Sequence, residues 1–296
     1  MTPQGSIRRP SRQPCHSERS EESDSARPFA SLRVTEQEGL SSTALRAIAF
    51  DCYGTLVDFG DDGFQRAYDE VCRLQGLSCD GATLWDKWME IWRRRARQPG
   101  GGEGPPRGPV LDVATRPLKG PVPNYRFYRE EWPEHFAQCF DELGLQGDPA
   151  AAYEHVRRRL AEAEAFPEAR AVVEGLRARY RLALLSNADD DFLVPCLERN
   201  GLAFRVVVSS ESARVYKPHE AIFHVLAAEL GLAPGEIMYV GDSHFADVLG
   251  AKHAGLRVAW LNREGRELPE GVPQPDLEVR ALGELPPLLS GGGQET

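Results

Sequence analysis

A carboxylate directly follows the first strongly apolar stretch of the chain. Residues Ala47–Phe50 form a run typical of a buried strand in a parallel sheet, and Asp51 comes next, with Gly54 three residues further on. In open α/β sheets, ligands bind just beyond the carboxyl ends of the strands. Asp51 is therefore a candidate nucleophile, because a carboxylate oxygen can form a covalent bond to a substrate.

Polar residues occur at comparable places later in the chain. Ser186 and Asn187 end a predicted strand at 182–187, Asp242 ends another at 237–242 with Asp247 five residues on, and Lys217 precedes a predicted helix. Each of them alone has an ordinary interpretation: a surface lysine, a helix cap, a turn residue, an acid in the first turn of a helix. Because parallel strands share one carboxyl edge, we expect these side chains to converge there with Asp51.

The residue types suit the transfer of a phosphoryl group. The approach of a phosphate to a carboxylate brings two anions together, so cations must balance them. Mg²⁺ prefers a few carboxylates and keeps several waters, which makes Asp51, Asp242 and Asp247 candidate ligands. Lys217 would hold the attacking carboxylate and the phosphoryl oxygens. Thr55, Ser186 and the backbone N–H groups of the loop after Asp51 would donate hydrogen bonds to the transferring group. Asn187, beside Ser186, is a further candidate for binding the phosphate.

The alternation of strands and helices along the remaining chain predicts an α/β fold. From residue 166 onward, short apolar strands alternate with helices of 10–15 residues, which indicates βαβ units and a parallel sheet. About 100 residues between the first and second strands are mostly helical, which is too long for a crossover and predicts an inserted helical domain. Trp85, Trp88 and Trp92 are spaced along one face of a helix there, and we interpret this stripe as core packing.

Composition narrows the classes of function. The chain has 296 residues with a net charge of −10, which argues against broad nucleic-acid binding while leaving room for a small anionic substrate at a locally positive site. We see no apolar run of the roughly 18 residues that a membrane span needs, and no signal peptide. Six cysteines without a CxxC pair predict free thiols and a cytoplasmic location. Nothing in the sequence indicates an oligomeric state.

The predicted organisation has four parts. Residues 1–43 are polar and aperiodic, so we expect a disordered extension without a function, and a start codon assigned too early. Residues 44–60 and 166–285 would form the α/β core, and 61–165 the helical insertion. Within the insertion, the Gly- and Pro-rich stretch 98–123 predicts a long loop that either covers the site or is flexible. Residues 286–296 are expected to be a frayed tail.

Four segments, in this order, resemble the signature of the haloacid dehalogenase-like (HAD) hydrolase superfamily: FDCYGTLVD at 50–58, LLSNADDD at 184–191, VYKP at 215–218 and YVGDSHFAD at 239–247. The resemblance covers about residues 46–265 and implies a Rossmann-like core with the helical insertion as a cap domain that closes over the site and selects the substrate. It implies Asp51 as the nucleophile, phosphate-side roles for Thr55, Ser186 and Lys217, and metal-side roles for Asp242 and Asp247.

One position departs from the phosphatase pattern of that superfamily. Phosphatases usually carry a second aspartate two residues after the nucleophile as general acid and base, and this chain has Tyr53 there. Because of this position, Tyr53 is counted with Asp51 and Lys217 among the candidate catalytic residues. A phenol with a pKa near 10 is a poor proton donor near neutrality. A non-acid at this place is similar to the 2-haloacid dehalogenase branch, in which the same aspartate attacks carbon and displaces halide.

The last segment favours the opposite interpretation. The chain keeps Asp242 and Asp247, which is similar to the metal-dependent phosphatases, and a carboxylate without a cation beside Asp51 would cost several kcal/mol. The sequence therefore predicts a hydrolase with an Asp51 nucleophile, in first place a Mg²⁺-dependent phosphomonoester phosphatase. A metal-independent 2-haloacid dehalogenase is the alternative, and a non-enzymatic module that binds a phosphate ligand or a partner is the third hypothesis.

Overall fold

The computed structural model describes residues 44–96 and 118–290, and a single parallel sheet is the centre of this part of the chain. Its strand order is β3-β2-β1-β4-β5-β6. The strands are β1 (Ala47–Phe50), β2 (Arg181–Ser186), β3 (Val206–Ser209), β4 (Ile237–Gly241), β5 (Arg257–Leu261) and β6 (Leu277–Val279). The predicted α/β fold class with a Rossmann-like parallel sheet is confirmed.

The first strand lies in the middle of the sheet and is buried on both faces. Ile48 and Phe50 point into one apolar cluster, and Ala47 and Ala49 point into the other, so alternation along four residues joins the two halves of the core. In register, Phe50 lies beside Leu184 of β2 and Val240 of β4. The residues that follow these three strands therefore emerge together at the carboxyl edge, where the chain order reverses across the sheet.

Four helices lie between β1 and β2: α1 (Asp61–Gln75), α2 (Gly81–Ala96), α3 (Tyr128–Leu143) and α4 (Pro149–Ala161). Helix α1 packs against α2 and α4, and α3 packs against the same two helices. Asp148 accepts hydrogen bonds from the amides of Ala150 and Ala151, and Pro149 follows it at the first helical position, as the sequence predicts. Aromatic side chains fill the space between α1, α2 and α3, for example Tyr68 against Trp88 and Phe136.

The remaining helices connect and cover the strands. They are α5 (Ala169–Arg177), α6 (Asp190–Arg199), α7 (Ser210–Ala213), α8 (Glu220–Leu230), α9 (Gly250–His253) and α10 (Leu285–Ser290). After β4 the chain first forms a π-helical turn, His244–Leu249, and α9 continues it as an α-helix. The π-helical turn starts at Ser243, whose hydroxyl accepts from the amide of Ala246.

Two features of the carboxyl-terminal part were not predicted. Strand β6 has only three residues, too few for a periodicity to show. Residues 286–290, predicted to be in the frayed tail, belong to α10, whose Leu285 is fully buried and whose Ser290 accepts a hydrogen bond from Arg179. The extension 1–43, most of the long loop at 98–123 and residues 291–296 lie outside the described residues. No helix among the described residues is long and apolar enough to cross a membrane.

Candidate active site

One lysine joins two carboxylates at the carboxyl edge of the sheet. The Nζ of Lys217 donates to Asp51 Oδ1 and to Asp247 Oδ1, both at 2.7 Å, and to the hydroxyl of Tyr239 at 3.0 Å. Tyr239 in turn donates to the carbonyl of Leu185 at 2.9 Å. All four polar side chains are buried, so the ion pairs are screened little by water. The sequence placed Asp51, Lys217 and Asp247 together, and the structure does the same.

A third carboxylate completes this cluster. Oxygen atoms of Asp51, Asp242 and Asp247 lie within 4.8 Å of one another, and Thr55 donates to Asp242 Oδ1 at 3.1 Å. Asp242 is half-buried, whereas the other two carboxylates are buried. Among the described residues, the three carboxylates of this cluster lie around the single ammonium of Lys217, which bonds to two of them. Carboxylate oxygens are the type of ligand that Mg²⁺ takes in proteins, so the donor set of this cluster is chemically suited to the ion.

Two glycines make room for these carboxylates. A Cβ on Gly54 would lie 2.7 Å from Asp242 Oδ2, and Gly54 also has a φ of +87°, which favours glycine. A Cβ on Gly241 would lie 2.4 Å from the carboxyl carbon of Asp247. Gly241 is the last residue of β4, and Gly54 lies in the loop after β1, so the small size of both residues is a condition for the close approach of the acids.

Burial and the ion pairs shift the proton affinities of the cluster. Burial by itself lowers the pKa of Lys217, but the carboxylates of Asp247 and Asp51 outweigh it, and the pKa lies above its usual value. Burial raises the pKa of Asp247 to about 7, and the attraction of Lys217 offsets only part of that rise. The amide of Ser243 donates to Asp247 Oδ2 at 2.9 Å. Lys217 is therefore charged at neutral pH.

Ser186 and Asn187 end β2 beside this cluster but have different surroundings. Ser186 is buried and lines the cavity in front of Asp51. Asn187 also borders that cavity, but its amide pairs with the backbone of Lys217: Nδ2 donates to the carbonyl at 3.1 Å, and Oδ1 accepts from the N–H at 2.8 Å. Asn187 thus fixes the backbone that presents the ammonium.

The loop after Asp51 uses several of its own N–H groups internally. The amides of Gly54, Thr55 and Leu56 donate to carbonyls of the same loop at 2.8, 3.3 and 2.8 Å. The hydroxyl of Thr55 donates to Asp242. The sequence predicts that these amides and the Thr55 hydroxyl face the substrate. In the structure the amide bonds shape the loop, and the Thr55 hydroxyl holds Asp242.

Tyr53, at the position where a general acid was sought, is buried. Its hydroxyl lies 3.4 Å from the carbonyl oxygens of both Leu160 and Phe192, which are long hydrogen bonds to groups that can only accept. Burial raises the pKa of the Tyr53 phenol well above its ordinary value. Tyr53 lines the cavity, and its raised pKa means that the phenol gives up its proton less readily than a tyrosine in water does.

A cavity of about 100 Å³ lies in front of Asp51. One end is formed by the charged edge of the sheet. The other is formed by aromatic side chains and by two polar residues of α3, Glu131 and His135, which are 7% and 2% exposed. The aromatic residues are Phe64, Trp85, Trp88, Trp92, Tyr128, Trp132 and Phe192.

Sequence reasoning missed this second end of the cavity. The tryptophan stripe of α2 is packed among aromatic neighbours, as predicted, but it also lines the cavity, which the prediction did not include. Glu131 and His135 stand four residues apart on one face of α3, and this spacing was the available signal. The imidazole of His135 stacks on Trp88 with centroids 4.0 Å apart, and its Nε2 donates to the carbonyl of Trp88 at 3.1 Å.

Comparison with known proteins agrees with this arrangement. A family model described as haloacid dehalogenase-like hydrolase matches residues 45–255, and the chain belongs to that family. It is 28% identical over 252 residues to haloacetate dehalogenase H-2 from Moraxella sp. (strain B), covering 83% of this chain and 98% of that protein. It is 30% identical over 217 residues to phosphoglycolate phosphatase from Yersinia pseudotuberculosis, covering 72% and 78%.

A solved structure resembles the whole described fold. The L-2-haloacid dehalogenase from Xanthobacter autotrophicus with chloropropionic acid covalently bound has a TM-score of 0.64 and 23% identity, covering 84% of this chain and 100% of that one. At this identity the likeness establishes the fold. The chain is thus a HAD-family hydrolase, and its curated relatives include both dehalogenases and phosphatases.

Proposed function

We propose that this chain is a Mg²⁺-dependent phosphomonoester phosphatase that forms an aspartyl-phosphate on Asp51. The observation that carries the proposal is the cluster of Asp51, Asp242 and Asp247 within 4.8 Å beside a single ammonium. An anionic substrate would add negative charge next to this group of three carboxylates. A divalent cation balances the site before the substrate arrives, and Asp51, Asp242 and Asp247 would hold it.

The reaction would have two displacements at phosphorus. An oxygen of Asp51 attacks the phosphorus, the bond to the ester oxygen breaks, and the alcohol leaves with a proton from water. Water then attacks the aspartyl-phosphate, inorganic phosphate leaves, and the carboxylate is restored. Bound Mg²⁺ would supply charge neutralisation for the phosphoryl oxygens.

The described side chains have distinct tasks in this scheme. Lys217 holds Asp51 in one orientation through its 2.7 Å hydrogen bond and offsets the charge of the phosphoryl group. Ser186, buried at the end of β2, is placed to donate to a phosphoryl oxygen. Asn187 and Thr55 act indirectly, since they position Lys217 and Asp242. Helices α1–α4, which supply most of the aromatic end of the cavity, would serve as the cap that selects the substrate.

The test is a panel of phosphate esters assayed with Mg²⁺ and with EDTA. We expect phosphate release with Mg²⁺, loss of release in EDTA, and loss of release in Asp51→Asn. Asp58→Asn is the matched control, because Asp58 is an exposed carboxylate seven residues further along the same chain segment. Release that continues in EDTA or in the Asp51 variant would rule out the proposed mechanism.

A metal-independent 2-haloacid dehalogenase is the second candidate. Tyr53 in place of an acid favours it, because displacement of halide from carbon needs no proton on the leaving group, and the dehalogenase relatives match along almost their whole length. Asp51 would attack the carbon, halide would leave, and water would hydrolyse the ester. Chloride release from 2-chloropropionate in EDTA identifies this activity. Binding of beryllofluoride without turnover of any ester or haloacid would indicate the non-enzymatic module.

A further inference from the structure

Two of the free cysteines lie side by side where α1 turns into α2. The sulfur atoms of Cys72, near the end of α1, and Cys79, two residues before α2, are 3.1 Å apart. Because a disulfide bond is about 2.05 Å long, the sulfurs need to approach each other by only about 1 Å to bond. A separation of seven residues forms no cysteine motif in the sequence, so the fold alone reveals this pair.

The backbone on both sides of the turn keeps the two sulfurs adjacent. Helix α1 ends at Gly76, whose φ of +62° reverses the chain, and the amide of Leu77 donates to the carbonyl of Cys72 at 2.8 Å. At the start of α2, the amide of Gly81 donates to the carboxylate of Asp69. A Cβ on Gly81 would lie 2.4 Å from the backbone nitrogen of Asp69, so the two helices are in backbone contact directly after the pair.

The two thiols differ in their access to solvent. Cys72 is 3% exposed, whereas Cys79 is half-buried. The other described cysteines, Cys52, Cys139 and Cys196, are fully buried. Among the cysteines that the structure describes, an oxidant in solution therefore reaches Cys79 first, and Cys72 is the thiol next to it.

A metal ion is the other common ligand of neighbouring thiols. Neither cysteine belongs to a group of three possible metal ligands among the described residues, whereas the cluster at Asp51 does. Burial, and to a smaller extent the Cys79 thiol, Asp69 and Asp80, raise the pKa of Cys72 to about 12. Cys72 therefore keeps its proton near neutral pH, although a metal ligand is a thiolate. Both observations favour oxidation over metal binding at this pair.

From this geometry we propose that Cys72 and Cys79 form a reversible disulfide site that responds to hydroperoxides. Hydrogen peroxide transfers an oxygen to the Cys79 sulfur, which gives a sulfenic acid, and the first water leaves. The Cys72 sulfur then attacks the Cys79 sulfur, the S–S bond forms and the S–O bond breaks, and hydroxide leaves with the Cys72 proton as the second water. The two thiols lose two electrons in total, the peroxide is reduced, and a dithiol reductant reverses the reaction.

The cross-link would join α1 to α2 outside the candidate active site. Of the described residues 72–80, none lines the cavity in front of Asp51, whereas Phe64 of α1 and Trp85 of α2 line it and are stacked 5.1 Å apart. A covalent bond across the turn restricts the unfolded chain and so stabilises the folded insertion. The site is independent of the proposed phosphatase activity, and its test needs no substrate.

The experiment treats wild type, Cys79→Ser and Cys15→Ser with hydrogen peroxide in alkaline buffer, where more of Cys72 is thiolate. Free thiols are then blocked with N-ethylmaleimide, and the protein is digested with trypsin. Because trypsin cleaves after Arg73, the disulfide would join two separate peptides, 67–73 and 74–87, with the loss of two hydrogens. Cys15→Ser is the matched control, since it makes the same change at a cysteine outside the pair.

We expect the joined peptides in wild type and in Cys15→Ser, their separation by dithiothreitol, and their absence from Cys79→Ser. Oxidation should raise the Tm of wild type by roughly 5 °C and leave that of Cys79→Ser unchanged. Peroxide-treated wild type in which Cys79 is found only as a sulfinic acid, as the maleimide adduct or joined to another cysteine would overturn the inference. A cross-linked wild type whose Tm is unchanged or lower would overturn the stabilising role.

Discussion

Lys217 is the residue on which the charge balance of the site depends most directly. It is 3% exposed and bonds to two buried carboxylates at 2.7 Å. Removing one member of a buried ion pair leaves an uncompensated charge in a medium of low polarity. The lysine therefore contributes to folding as well as to the proposed chemistry.

We expect Lys217→Met to lower the free energy of unfolding by about 3–5 kcal/mol at pH 7. The loss should be smaller at pH 5, because burial already gives Asp247 a pKa of about 7 and its protonation removes one of the unpaired charges. Urea unfolding at the two pH values measures this. Lys252→Met is the control, since its bond to Asp276 is more exposed and should be worth at most about 1 kcal/mol. Equal losses for both variants would contradict the assignment.

Tyr53 stands where phosphatases of this family usually have an aspartate that acts as general acid and base. Its hydroxyl makes long hydrogen bonds to two carbonyls, and burial raises the pKa of the phenol. We expect Tyr53→Phe to retain most of kcat for phosphate release, far from the roughly 100-fold or greater loss that follows removal of a general acid. Steady-state kinetics on one ester measures this, and a loss of that size would show that the phenol takes part in proton transfer.

Gly54 is required by both its backbone and its neighbour. In Gly54→Ala, the positive φ should cost about 1–2 kcal/mol, and the new methyl group would push Asp242 away from its place. We expect a lower free energy of unfolding and weaker binding of Mg²⁺, seen as a higher Mg²⁺ concentration at half-maximal activity. Gly60→Ala is the matched control, because φ there is −93° and no atom lies within 4 Å of the added carbon. Activity that stays at the wild-type level in Gly54→Ala would contradict this reading of the loop.

Among the elements, helix α3 is tied to the sheet through one buried side chain. Asp189 follows β2 by three residues, and its carboxylate accepts from the amides of Tyr128 and Arg129 at 3.2 and 2.9 Å. A carboxylate is favourable at a helix N-terminus. Arg129 also pairs with Glu211 at 2.8 Å. The helix that carries Glu131 is therefore held to the segment that follows Ser186, the last residue of β2.

Asp189 gives a pH-dependent signature of this link. Burial raises its pKa from 3.8 to about 6, despite the bonds from Arg129 and Tyr128 that lower it. The folded state holds the proton of the Asp189 carboxyl more tightly than the unfolded state does. The stabilisation that this protonation gives the fold is therefore complete below pH 4 and is lost as pH rises through 6. We expect wild type to lose about 1.4 kcal/mol per pH unit in this window relative to Asp189→Asn. Parallel unfolding curves against pH for the two proteins would contradict the burial of the Asp189 carboxyl.

The elements also show which parts of the structure a sequence can reveal. The signature segments mark where strands end, and the carboxyl ends of parallel strands lie at one edge of the sheet. The convergence of Asp51, Ser186 and Asp242 could therefore be predicted, together with Lys217 from the segment before a helix. The tryptophan stripe shows only that one face of α2 is buried. Whether that face meets a core or a cavity depends on how α2 and α3 pack, and helical periodicity contains no such information. Strand β6 was missed because three residues carry no measurable alternation.

For the whole molecule, charge connects folding with ligand binding. The chain has a net charge of −10, and three carboxylates of the site lie within 4.8 Å. A cation that binds only the folded state stabilises it by about 2.7 kcal/mol at 100 times its Kd. The acidic cluster thus makes the fold more stable when the proposed ion is present.

We expect MgCl₂ to raise Tm above the value in NaCl at equal ionic strength. In Asp242→Asn this rise should be strongly reduced, while Tm without Mg²⁺ should not fall, because one of the repelling charges has been removed. Differential scanning fluorimetry with both salts and both proteins checks this without any assay of activity. An undiminished rise in the variant would place the ion elsewhere.

Residues 186–189 connect the reacting end of the cavity with helix α3. Ser186 borders the reacting end, Asn187 forms hydrogen bonds with the backbone of Lys217, and Asp189 accepts hydrogen bonds from the start of α3. A ligand that tilts α3 must therefore also pull on the hydroxyl and the ammonium that face Asp51. A substrate whose non-reacting part fits poorly against α3 would bind but leave the Ser186 hydroxyl and the Lys217 ammonium misaligned. Discrimination between substrates should therefore be seen in kcat more than in binding affinity.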